Sequence, residues 1–229
     1  MAINNQNKQD IEHQLWFRVP ATKVPGTTPI DEKFWSLLRP GSMVLEVGCG
    51  DGRIIYECIK RGFAVIGIDI NAAAIKKLRA GIKKMGTNTV SLDVSSITKT
   101  KFNKDFFNAA TLQGILSALS TADRVQALHE LWRILKPNAI IHIAEFEFID
   151  NNVVARARYD RDYQITKEYG TISVTNDLGT ELYRTHNFKE AELRSLLEAT
   201  GFTIISFRRE IFTSYHGNRK PGLLIILKK

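Results

Sequence analysis

Two cysteines in 229 residues, Cys49 and Cys58, are too few and wrongly spaced for a disulfide scaffold, a zinc knuckle or a redox pair. Low cysteine use points to a reducing cytoplasm. The five histidines are scattered, with no metal-ligand spacing, so no metal is expected. Long apolar runs are also missing. A stretch such as Leu223 to Leu227 is far too short to span a bilayer, and the opening Met1 to Asp10 lacks the apolar core of a signal peptide. No membrane partner is expected. With 15 glycines and six prolines, collagen-like and low-complexity classes are excluded.

What is present is ordinary globular material with an excess of positive charge. Apolar residues make up 44% of the chain, and 32 Lys+Arg face 24 Asp+Glu, a net charge of +8. The excess is local. Residues 71–104 contain eight basic side chains and one acid, while residues 1–70 balance and residues 105–229 carry 16 bases against 15 acids. A basic protein suggests nucleic acid. Here most of the excess falls on one helix and one connection, away from the apolar stripe Ile75, Leu78, Ile82 and Met85. That is the pattern of a solvated flank, so the charge says little about the substrate.

The length fits one α/β domain with an elaboration. Residues 1–30 read as an N-terminal arm, partly mobile, with apolar anchors among prolines, and residues 31–229 as the domain. Strand signals at Met43–Val47, Ala64–Ile68, Thr89–Leu92, Phe106–Leu112 and Ala139–Phe148 alternate with helical ones at Asp31–Leu38, Arg53–Lys60, Asn71–Met85 and Asp123–Leu135. Lys136-Pro137-Asn138 reads as a turn. This rhythm means a parallel sheet covered by helices on both faces. It breaks at residues 150–187, an insertion with Tyr159, Tyr163, Tyr169 and Tyr183 and a hairpin signal around Asn176-Asp177-Leu178-Gly179. A helix over Phe188–Ala199 and strands over Phe202–Phe212 and Gly222–Lys228 follow. The short link between those strands makes them antiparallel.

The chemistry-bearing motif is Val44-Leu45-Glu46-Val47-Gly48-Cys49-Gly50-Asp51-Gly52-Arg53, a strand entering a glycine turn at a helix start. Glycines let the backbone turn tightly and approach a ligand, and the helix start offers free N–H groups. Asp69 ends the second strand, where a carboxylate can accept from both ribose hydroxyls; capping the next helix is its alternative role. Together these imply a cofactor containing adenosine. The spacing is G-x-G-x-G rather than G-x-G-x-x-G, and there is no Walker lysine, which disfavours a dinucleotide and a nucleoside triphosphate.

Here the sequence resembles the class I S-adenosylmethionine-dependent methyltransferases. The residues that carry the resemblance are Val44–Arg53, Ile66-Gly67-Ile68-Asp69, Ser91-Leu92-Asp93-Val94, Phe107–Leu119 and Leu131–Pro137. It implies a Rossmann-like, doubly wound, seven-stranded sheet in the order 3-2-1-4-5-7-6, with strand 7 antiparallel and a lid-like insertion after strand 5. It implies S-adenosylmethionine as cofactor and S-adenosylhomocysteine as product. Gly48, Cys49, Gly50, Asp51 and Gly52 would line the aminoacyl end of the cofactor, with Glu46 reaching its amino group. Asp69 would hold the ribose, Ile70, Asp93 and Val94 the adenine, and Gln113 would lie beside the methionine moiety.

Methyl transfer needs a general base only when the nucleophile arrives protonated. Glu145, at the end of strand five, and His186, before the late helix, are the catalytic candidates. The alternatives are a positioning or capping role for Glu145 and lid orientation for His186. The four tyrosines of the insertion are either a substrate-side wall or packing for the hairpin. The expected activity is methyl transfer to an oxygen or nitrogen of a small-molecule acceptor, by a monomer or homodimer. Its rivals are an RNA-modifying methyltransferase and a non-catalytic S-adenosylmethionine-binding module.

Overall fold

The computed structural model describes Thr28 and residues 30–176, 178–213 and 219–229. The arm of residues 1–30 thus lies almost wholly outside the described residues. A short helix, α1 (Glu32–Ser36), leads into the alternating core: β1 (Met43–Val47), α2 (Arg53–Lys60), β2 (Ala64–Asp69), α3 (Ala72–Met85), β3 (Val90–Val94) and β4 (Phe107–Gln113). A four-residue helix, α4 (Ile115–Ala118), then α5 (Thr121–Ile134) and β5 (Leu135–Phe146) complete it. The insertion supplies α6 (Val153–Thr166) and the strands β6 (Thr171–Thr175) and β7 (Glu181–His186). The chain continues through α7 (Glu190–Ala199), β8 (Thr203–Thr213) and β9 (Arg219–Lys228).

Seven strands form one sheet in the order β3-β2-β1-β4-β5-β9-β8, and β6 and β7 pair separately as an antiparallel hairpin. This is the order expected from sequence, with β9 antiparallel to both neighbours. Alternation along the strands sends Val44, Val65, Ala109, Ile140 and Ile226 to the face covered by α1, α2 and α3. Leu45, Ile68, Leu112, Ile141 and Ile225 meet α5 and α7 on the other face. The chain steps from β1 out to β3 and then returns to β4, so the switch point falls between β1 and β4, where ligands of doubly wound sheets bind.

Local rules account for most elements. Asn71 caps α3 by accepting from the N–H groups of Ala73 and Ala74. Its stripe buries Ile75, Leu78 and Ile82, but Met85, expected on that stripe, is half exposed in the last turn. Lys136-Pro137-Asn138 is not a free turn: it belongs to β5, where Asn138 takes a positive φ of 66° and the pairing with β4 slips between Phe107 and Ala109. The third strand lies slightly later than the sequence suggested, because Val90–Val94 is the stretch that pairs with Val65–Asp69.

Helix α6 was not legible. It buries Tyr159, Asp162 and Thr166, a mixed polar face, and leaves Val153, Val154 and Ile165 exposed. Asp162 accepts from the backbone N–H of Ser173 and from Arg161, which fastens the helix to the hairpin.

Candidate functional site

The carboxyl ends of β3, β2, β1 and β4 stand side by side, and each carries part of the expected cofactor site. Parallel pairing aligns Ile68 with Asp93, Asp69 with Val94, Glu46 with Gly67, and Val47 with Leu112. The glycine loop crosses the end of β1. Gly48 has φ 70°, and a Cβ there would come within 2.2 Å of Ile115. At Gly52, φ is 87° and a Cβ would fall 2.3 Å from Leu78. These two positions admit only glycine without rearrangement. A Cβ on Gly50, by contrast, meets nothing nearer than a carbonyl at 4.0 Å, so this part of the loop faces open space.

Asp69 does two jobs at once. Its carboxylate accepts from the N–H of Gly50 at 2.9 Å and from that of Asn71 at 2.8 Å, tying the glycine loop to the end of β2. Burial raises its pKa, against the pull of those N–H donors. The cap of α3 is Asn71 rather than Asp69, and two N–H bonds leave lone pairs on the Asp69 carboxylate for further donors. Asp93 and Val94 are exposed beside it, Ile70 is half-buried, and Asp51 is exposed at the loop tip. Cys49 is buried, and burial pushes its thiol pKa well up, so it packs beneath the loop as an inert small residue.

Glu46 is buried under the loop and accepts from the hydroxyl of Thr111 on the adjoining strand. Burial holds its pKa well above the ordinary carboxylate range, although Arg53 pulls the other way. Arg53 also donates to the side-chain oxygen of Gln113. Arg53, Thr111 and His142 complete this neighbourhood and were not singled out from the sequence. The available signal was a polar side chain inside an otherwise apolar strand: Thr111 in β4 and His142 in β5.

The two catalytic candidates are engaged elsewhere. Glu145 has no solvent exposure, and its carboxylate accepts from the N–H groups of Leu116 and Ser117, at 2.8 and 3.0 Å, and from the Ser117 hydroxyl. It therefore holds the start of α4 against β5. His186 is also buried. Its Nδ1 meets the Thr171 hydroxyl at 2.8 Å and its Nε2 meets Glu192 at 2.9 Å, so both nitrogens are engaged.

Both residues belong to one polar chain. The Leu116 carbonyl accepts from Arg124, which is 3% exposed and pairs with both oxygens of Glu168. Glu168 accepts in turn from the hydroxyls of Thr121 and Thr171. Burial alone would raise the pKa of Glu168, but Arg124 and its other partners hold it at about 2. The insertion is thus anchored on α5 through charge and hydrogen bonds.

Among the tyrosines, Tyr159 takes the packing alternative. It is 2% exposed, stacks on Phe148 at 4.5 Å, and its hydroxyl accepts from Asn187 at 2.8 Å. Tyr163 and Tyr169 are exposed neighbours, and Tyr183 is half-buried.

Burial pushes the pKa of Glu145 to about 7, despite its Ser117 and Leu116 donors. An acid whose pKa is higher folded than unfolded holds a proton preferentially in the folded state. This contribution is fully present below about pH 4.5 and is lost as the pH rises through 7. Glu145→Gln should flatten the fall of unfolding free energy across this window, by up to about 1.4 kcal/mol per pH unit. Urea titrations at several pH values measure it, and a slope identical to that of the parent would refute the assignment.

A doubly wound sheet, a glycine loop at its switch point and an acid ending the second strand define a domain that binds a nucleoside-containing cofactor. Residues 44–138 match the family model described as "Methyltransferase domain". A S-adenosylmethionine-dependent methyltransferase from Methanosarcina mazei is 30% identical, with a TM-score of 0.83 over 88% of this chain and 99% of that one. The chain belongs to the S-adenosylmethionine-dependent methyltransferase family. A second solved structure, the 1,6-didemethyltoxoflavin-N1-methyltransferase of Burkholderia thailandensis with bound S-adenosylhomocysteine, shares the fold at 17% identity, with a TM-score of 0.67 over 100% of this chain and 91% of that one. The S-adenosyl-L-methionine-dependent Diels-Alderase iccD of Talaromyces variabilis is 26% identical over 76% of this chain, which spans 57% of the length of that relative.

The residues at the site fit the cofactor. An open approach over Gly50, an acid at the end of β2, a second acid free on β3 and a buried, unpartnered amide nitrogen on Gln113 among the described residues are features that a bound aminoacyl nucleoside would engage. No helix among the described residues is long and apolar enough to cross a membrane.

Proposed function

We propose that this domain transfers the methyl group of S-adenosylmethionine to an oxygen or nitrogen of a small-molecule acceptor. The observation that carries this reading is the alignment of Asp93, Asp69, the glycine loop and Gln113 along one sheet edge, in the order in which adenine, ribose and methionine follow one another in the cofactor. Asp69 would take the ribose hydroxyls, Asp93, Val94 and Ile70 the adenine, and Gly48 to Gly52 with Glu46 and Gln113 the aminoacyl end. The bound cofactor supplies an electrophilic methyl group on a sulfonium. The protein's part is to bind, orient and exclude water, because effective in-line placement accounts for much of such a rate enhancement.

The direct test is a labelled-methyl transfer screen against metabolite and RNA pools, run beside calorimetry with S-adenosylhomocysteine. Label is expected in small molecules and not in RNA. Absence of S-adenosylhomocysteine binding would defeat the reading altogether, and label confined to RNA would replace the acceptor class. Binding without transfer of label would point instead to a chemistry other than methyl transfer, as the name of the Talaromyces relative, a Diels-Alderase, suggests.

A further inference from the structure

The hydrogens around His186 can be placed one by one. Glu168 accepts from Arg124 and from the hydroxyls of Thr121 and Thr171, and is held ionised with a pKa of about 2. An ionised carboxylate only accepts, so the single hydrogen of the Thr171 hydroxyl points to Glu168, 2.5 Å away. That hydroxyl oxygen keeps only lone pairs for the ring. The 2.8 Å contact between Thr171 and Nδ1 of His186 must therefore be donated by the ring. On the other side, Nε2 stands 2.9 Å from Glu192. Burial would raise the pKa of Glu192, but its partners bring it below the ordinary value, and the side chain is 42% exposed. Glu192 is an acceptor too, so Nε2 also carries a hydrogen. A histidine that donates from both nitrogens is an imidazolium.

The charges around the ring agree. Glu168, just before β6, has Oε2 at 3.7 Å from Nδ1; Arg124 on α5 pairs with Glu168; Glu192 belongs to α7. On the histidine's own strand, Glu181 and Arg184 pair with each other. The other two elements packed on β7, β6 and α4, carry no charged side chain. Arg124 opposes a second cation, but two carboxylates stand against it. With an imidazolium the cluster holds two positive and two negative charges. With a neutral ring it holds one positive and two negative, around two side chains that are each 2% exposed. An uncompensated charge in such a place is strongly unfavourable.

A neutral ring has one hydrogen for two positions. Placed on Nδ1, it sets the bare Nε2 against the Glu192 carboxylate. Placed on Nε2, it turns the Thr171 hydroxyl away from Glu168. We propose that His186 is a proton-operated fastening: as an imidazolium it ties β6 and β7 to α5 and α7, and loss of its proton loosens this hairpin. The fastened state binds the extra proton. Fastening is therefore complete below the pH at which the loosened ring takes up a proton, and lapses as the pH rises past the point where the fastened ring gives it up. Strand β7 packs on α4, which follows directly after Gln113 and Gly114 at the end of β4, so the fastening acts one element away from the cofactor edge.

Nitrogen-15 NMR of the full chain follows the ring of His186, identified by its absence in His186→Gln, while hydrogen exchange follows the amides of β6 and β7. The series runs from about pH 5 to about pH 9, the imidazole range and one unit above it. Wherever these amides are protected, both ring nitrogens should be protonated. Once the proton leaves, the local opening constant, corrected for the intrinsic pH dependence of exchange, should rise by up to about tenfold per pH unit, the effect of one proton. Glu192→Gln should flatten that rise, because its amide can donate to a bare Nε2 and so satisfies the neutral ring. This variant changes a half-exposed carboxylate and carries the test should His186→Gln fail to fold. Glu145→Gln alters the other pH-sensitive group and should keep the rise. A bare ring nitrogen in the protected hairpin, or an opening constant that stays flat with pH, would overturn the proposal. So would a rise that persists in Glu192→Gln or disappears in Glu145→Gln.

Discussion

Arg124→Ala should lower the unfolding free energy by about 3–5 kcal/mol, the range for removing one partner of a buried ion pair. The guanidinium lies almost wholly inside the protein, bonds the Leu116 carbonyl, pairs with both oxygens of Glu168 and sits 5.1 Å from the centre of the Phe188 ring. Its removal strands the Glu168 carboxylate among hydroxyls and loosens α4, α5 and the insertion together. Against a typical domain stability of about 5–15 kcal/mol this is a large fraction. Urea denaturation measures it. The double variant Arg124→Ala, Glu168→Ala should lose less than the sum of the two single losses, because the second change removes a charge already left unpaired. A single-variant loss below about 1 kcal/mol would class the pair with exposed ones.

The second large effect concerns ligand binding. Asp69→Ala should weaken S-adenosylhomocysteine binding by about 1.5–3 kcal/mol, or roughly 10- to 150-fold, the scale for lost hydrogen bonds to a charged group. The same change removes the acceptor of the Gly50 and Asn71 N–H groups, so the glycine loop loses its tie to β2. Asp69→Asn should lose less, because one side-chain oxygen remains to accept. Calorimetry separates the cases, and an unchanged affinity in Asp69→Ala would remove the residue from the cofactor site.

The cofactor half of the site was legible because it is written locally. Glycine spacing, an acid at a strand end and strand–helix alternation each need only a short window of sequence, and the sheet then brings them together by register. Glu145 and His186 were legible as polar residues at suggestive places, with catalytic and structural roles both left open. Those roles depend on Leu116, Ser117, Thr171 and Glu192, partners fixed only by the folded chain. Helix α6 escaped for a different reason. Apolar periodicity detects a helix that buries hydrocarbon, and this one buries Asp162 and Thr166 beside Tyr159. His142 was not singled out, and the bond its Nε2 accepts from the N–H of Asp31 exists only in the folded chain.

The place of β9 has a consequence for the order of events in synthesis. The ribosome delivers β5 well before β9, yet among the described residues the outer edge of β5 pairs only with β9, and β8 has no other neighbour in the sheet. Between them come the insertion, α7 and all of β8. Until β9 emerges, the nascent domain carries an open and apolar strand edge, Ile140 to Phe146, of the kind that templates association with other chains. Assembly of this half of the sheet therefore waits on a distant segment, whereas the glycine loop, β2 and β4 can close around β1 as soon as they are made.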